Sequence, residues 1–170
     1  MKMFGTKSVS VVLFYLSALI TVGLFLLLLF ILLSWFTGLV EVNEEGIFKL
    51  KFPLSSSIIS GKYQLYTLLS IGATFAFYGV FTYLLSGLFK TFTLEPLFKP
   101  KAIQYLRYFT IANLLLPVSY FILVMILPSQ LFPEGILISF LHLIVGLFAA
   151  FISAIFKQGV VLQEEQNLTI

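Results

Sequence analysis

The sequence predicts an all-α membrane protein: four transmembrane helices, both termini on the cytoplasmic side, and a β-hairpin in the first external loop. Three observations lead there: an extreme composition, four long apolar runs, and a lopsided distribution of basic residues. Of 170 residues, 60% are hydrophobic, 10% are charged and 20 are Phe. A soluble domain carries about a quarter charged residues and just under half apolar ones. A chain with a mean hydropathy of +1.09 cannot cover its surface with polar groups, so a lipid bilayer is its natural solvent.

A helix needs about 20 residues to cross roughly 30 Å of hydrocarbon. Four stretches meet that length, at about 11–36, 64–89, 105–127 and 134–156. None has an acid or a lysine in its central part, and a soluble bundle would show polar stripes instead. The first run is too long for a signal peptide and ends in LSWFTG, without an A-x-A-like cleavage site, so it reads as a retained span. One transmembrane domain, 1–170, follows, with an outer loop 37–63, an inner loop 90–104 and a tail 157–170.

Lys2, Lys7, Lys90, Lys99, Lys101, Arg107 and Lys157 fall on one side of this layout, seven of the ten basic residues. By the positive-inside rule that side is cytoplasmic. Trp35, Tyr63 and Tyr66 then mark the outer interface, with Tyr105 and Tyr108 at the inner one. In the outer loop LVEVNEEGIFKLKFP has two alternating runs around NEEG, a hairpin with Gly46 in its turn. That loop is either a solvated cap or a binding surface. The inner loop mixes Phe92, Leu94, Leu97, Phe98 and Ile103 with lysines, which suits a short interfacial helix on anionic headgroups, limited by Pro96 and Pro100.

Small residues recur along one face of the second span (Gly72, Ala76, Gly79, Ser86) and of the fourth (Gly146, Ala150, Ser153, Ala154), making these two helices the candidates for close packing. Two polar side chains lie within the spans, Asn113 and His142. A direct pair is not expected: counted from the interfaces, Asn113 lies about 9 Å from the cytoplasmic face and His142 about 12 Å from the outer one. The chain has no Asp, and all its Glu lie in loops or tails. His142 therefore reads as a packing histidine, with a functional role as the rival reading.

The usual constellations of catalysis and cofactor binding are missing. There is no G-x-S-x-G, H-E-x-x-H, P-loop or G-x-G-x-x-G, and one histidine without cysteines offers no metal set. No enzyme, cofactor or metal is expected. Scattered lysines and a net charge of +3 give no nucleic-acid footprint.

The closing stretch, FKQGVVLQEEQNLTI (156–170), is the most distinctive. It resembles the end of a bacterial membrane-protein family, domain of unknown function 2975. Gly159, Leu162, Glu164, Glu165, Leu168, Thr169 and Ile170 match its pattern, while Gln166 and Asn167 stand where Asn and Asp are common. The resemblance implies a four-span protein of the bacterial inner membrane. It also implies, as a cytoplasmic partner, a small helix-turn-helix regulator. The residues themselves place Val161, Leu162, Glu165 and Leu168 on one helical face, so the fourth helix is expected to run on to about Gln166. Glu164 and Glu165 can approach Lys90, Lys99, Lys101 and Arg107, but exposed ion pairs contribute only about 0–1 kcal/mol each. Docking would then depend on Leu168 and Ile170 finding an apolar groove, on this bundle or on a partner. A regulatory or interaction protein is the leading expectation. The alternative is a small transporter or channel subunit, with a path near Asn113 and His142 formed on homo-oligomerisation.

Overall fold

In lipid every backbone amide must be satisfied within the protein, which leaves long apolar runs the α-helix. The computed structural model describes residues 2–52, 58–94, 97–126 and 133–168. It contains four helices and a small sheet in the order α1 (Val9–Thr37), β1 (Glu41–Val42), β2 (Ile47–Lys51), β3 (Ile58–Lys62), α2 (Leu65–Phe92), α3 (Pro100–Ile126) and α4 (Pro133–Leu168). Among the described residues α1, α2 and the Gly135–Leu168 part of α4 are long and apolar enough to cross a membrane. That marks a membrane protein. The chain forms two compact units, Leu19–Val80 and Met1–Ala18 with Phe81–Ile170.

In the first of these, the expected hairpin is present and gains a third strand. The sheet runs β1-β2-β3, antiparallel throughout, with Glu41 opposite Lys49 and Lys51 opposite Ile58. The turn closes by a Gly46 N–H bond to the Asn43 carbonyl and an Ile47 N–H bond to Asn43 Oδ1. Gly46 sits at φ 71°, where a Cβ would be strained. Alternation then sorts the side chains: Phe48 and Leu50 turn inward onto Ile31, Phe30, Trp35, Leu68 and Phe75, while Lys49 and Lys51 face out. Trp35 meets the Phe48 ring edge-on at 5.4 Å and stacks on Tyr63 at 4.7 Å. β3 escaped the sequence reading because Ser-rich residues precede it and Gly61 interrupts it. That glycine gives the Phe48 ring its room, since a Cβ there would lie 3.2 Å from the ring.

The second unit gathers the N-terminal segment, the α2–α3 connection and α4 at one end. Gly5 N–H bonds the Phe92 carbonyl, capping α2, and Phe4 meets the Phe92 ring. Leu88, Ala102, Leu106 and Phe156 form a buried cluster, with Leu97, Phe98 and Ile103 against it. No separate interfacial helix occurs among the described residues of 90–104. α2 runs on to Phe92 and α3 begins at Pro100, a residue well suited to the first helical position. Ile103 therefore faces the bundle rather than headgroups.

Close packing also differs from expectation. α4 packs along α3 as its principal helix–helix contact, and it meets α2 only through large side chains, Phe156 on Phe92 and His142 on Phe81. The short 127–132 connection makes α3 and α4 antiparallel neighbours. Gly146 receives Asn113 and Leu114 of α3, whereas Gly72 and Gly79 face Leu28 and Phe25 of α1. The small residues thus make room for large side chains of a sequence neighbour. α4 spans 36 residues, about 54 Å at 1.5 Å per residue, far more than the hydrocarbon thickness. The expected extension of the fourth helix is present, and it reaches Leu168.

Candidate functional site

Two features of the second unit concentrate chemistry, a polar pair between α3 and α4 and the far end of α4. The pair is His142 with Asn113, and it corrects the expectation that they lie too far apart. Asn113 Nδ2 donates to the Phe109 carbonyl at 2.8 Å, so its amide oxygen is turned toward α4. There His142 Nδ1 lies 2.7 Å from that oxygen. The reversed amide would set two carbonyl-type acceptors against each other, so His142 is the donor through Nδ1–H. Both side chains are buried, at 0% and 8% exposure.

The depth argument failed at one point, the start of the third helix. Counting from Pro100 rather than from Arg107 puts Asn113 about 20 Å along α3, at its midpoint. His142 lies about 14 Å along α4 from Pro133. The 2.7 Å contact brings those positions level across the antiparallel pair. Gly146, one turn beyond His142, lets the backbones approach, since a Cβ there would lie 3.1 Å from Asn113 Cβ. Phe81 closes the site edge-on to the imidazole at 5.6 Å and packs on Phe109 at 4.8 Å. Thr110, one turn before Asn113, has a buried Oγ1 with no partner among the described residues. Pro117 has no N–H for the Asn113 carbonyl, its usual acceptor four residues back.

At the far end, α4 has an inner and an outer face. On the inner face Phe156 packs on Phe92 and Phe98, and Gly159 fits under the Phe98 ring, which a Cβ would strike. The glycine that opens the closing signature thus has a packing reason. Sequence reading recorded Gly159 and Phe98 separately, and nothing in their spacing could pair them. On the outer face Ala154, Lys157, Gln158, Val161, Leu162 and Glu165 line one open surface. Val161, Leu162 and Leu168 are exposed apolar side chains there, and Glu164 is exposed beside them. Thr169 and Ile170 lie outside the described residues.

Lys90, Lys101 and Arg107 are exposed and Lys99 is half-buried. Lys90 lies over the Phe14 ring at 5.7 Å. Among the described residues no group of three His, Cys, Asp or Glu could hold a metal ion.

A family model described as "Protein of unknown function (DUF2975)" matches residues 49–170. That is the family the closing peptide suggests, and the match reaches far beyond those fifteen residues. Comparisons with curated proteins and with solved structures found no match.

Proposed function

Because the chain belongs to the DUF2975 family, and the matched region holds every candidate site residue, we propose that it is a bacterial inner-membrane protein with a regulatory or interaction role. α3 crosses the membrane as well, as the third of four spans, both termini are cytoplasmic, and the sheet lies outside. The protein acts by holding the end of α4 out to a cytoplasmic partner. One observation carries this reading: α4 continues as a helix well past the length a bilayer can cover, with exposed Val161, Leu162 and Leu168 on one face. Lipid cannot cover that part once Lys157 marks the interface. Its inner face is already anchored through Gly159 and Phe98, so the outer face is free to receive a protein helix.

The topology draws support from the second unit, where the N-terminal segment, the α2–α3 connection and Phe156 share one end. Seven of the ten basic residues lie in those segments or on the adjoining helix turns, as the cytoplasmic side requires. By resemblance the partner is a small helix-turn-helix regulator, and this reading needs no catalytic step, cofactor or contact with nucleic acid. The transporter alternative has less support, since Asn113 bonds both His142 and the Phe109 carbonyl within the α3–α4 packing. Affinity capture from membranes with the intact chain and with a 162–170 deletion tests the proposal. Loss of a discrete partner on deletion is expected, and equal recovery of every partner would remove the tail's recruiting role.

A further inference from the structure

The unit Leu19–Val80 has a groove of about 340 Å³ between the end of α1 and the sheet. Its floor is apolar, formed by Phe30 and the buried Leu50, and its mouth is flanked by the exposed Leu39 and Ile58. Its rim is charged, with Lys49, Lys51 and Glu41. Along β2 the pleat turns both lysines outward while Phe48 and Leu50 hold the sheet onto the helices. Glu41 stands opposite Lys49 and offsets its charge, whereas Lys51 stands opposite Ile58, with no acid across the ladder.

The groove also has a depth. Phe30 lies seven residues before Thr37, about 10 Å down α1 from its end. Lys51 stands at the same level, since Phe52 beside it meets the Phe30 ring at 6.1 Å, and the site lies against the end of a membrane-crossing helix, where Trp35 and Tyr63 stack. An apolar floor flanked by lysines at the end of a membrane-crossing helix is complementary to an anionic amphiphile and to little else. A water-soluble anion would have no use for Phe30 and Leu50, and an apolar ligand none for the lysines.

We propose that this groove holds a phospholipid with a net anionic phosphate headgroup, its phosphate at Lys51 and Lys49 and an acyl chain along Phe30, Leu50 and Ile58. The lipid ties the sheet to the leaflet it faces. This inference is independent of the role given to α4.

Trp35 is the sole tryptophan and packs in the same cluster as Phe30 and Leu50, which supplies an internal reporter. The full chain is reconstituted in phosphatidylcholine nanodiscs containing a small fraction of either acyl-brominated phosphatidylglycerol or acyl-brominated phosphatidylcholine, and quenching of Trp35 is followed. The expected apparent preference for the anionic lipid is on the order of five-fold, the effect of one lysine at a membrane surface. Lys51→Gln and the Lys49→Gln/Lys51→Gln pair should abolish it, while Lys51→Arg keeps it. Lys62→Gln, on the same outward face but outside the groove, should also keep it. Equal quenching by the two lipids would overturn the proposal, as would a preference surviving the double substitution. Equal loss in Lys62→Gln would overturn it too, because diffuse charge would then explain the effect. All three lysines are exposed, so an unchanged Trp35 emission maximum in unbrominated lipid verifies folding in each variant.

Discussion

His142→Ala removes the donor to Asn113 Oδ1 and leaves a buried amide oxygen facing an apolar wall of Phe81 and Phe109. A buried polar group left unpaired costs about 1–3 kcal/mol, and interhelical bonds in membranes measure about 0.6–1.7 kcal/mol. The expected loss is thus on the order of 1 kcal/mol, read from unfolding of the purified protein in mixed micelles. Asn113→Ala should cost a similar amount, and the double variant less than the sum. Strict additivity would show that the two side chains do not bond. At this scale the sequence revealed which residues were polar within the spans. It could not reveal that they meet, because counting from Arg107, seven residues past the true start of α3 at Pro100, moved Asn113 by about 10 Å.

At the scale of elements, glycines decide how closely parts approach. Gly159→Val would drive a side chain into the Phe98 ring and detach the end of α4, at a cost of about 1–3 kcal/mol. Hydrogen exchange should then quicken over residues 160–168. Gly23→Ala is the control, since a Cβ there meets nothing within 4 Å and exchange should stay unchanged. In the sheet, Gly46→Ala forces a Cβ into a positive-φ turn and should cost about 1–2 kcal/mol, visible in a melt followed by Trp35 emission. The helices and the first hairpin were legible because hydrophobic runs and a turn with Gly at its end are local signals. β3 and the α3–α4 packing were not. They depend on Gly61 meeting Phe48 and on Gly146 meeting Asn113, and such contacts across sequence leave no periodic trace.

For the whole molecule, the account joins a four-span topology to a helix that outruns the bilayer. With no native cysteine, single substitutions report sidedness directly. In intact cells Glu44→Cys should react with a membrane-impermeant maleimide, whereas Lys101→Cys and Gln166→Cys should react only after lysis. Reaction of Gln166→Cys from outside would reverse the topology. The family's recognisable peptide lies in the last turns of α4 up to Leu168, and its Leu162 and Glu165 share the open face while its Gly159 lies beneath Phe98. The signature therefore includes a helix packed on one face and open on the other, which the letters alone did not distinguish from a solvated tail. The most direct test places a photo-crosslinking residue at Leu162 in the intact protein in cell membranes, with Gln163 on the half-buried side as control. The account predicts a discrete adduct with one cytoplasmic protein from Leu162 and none from Gln163; no adduct from Leu162, or the same diffuse adducts from both, would contradict it.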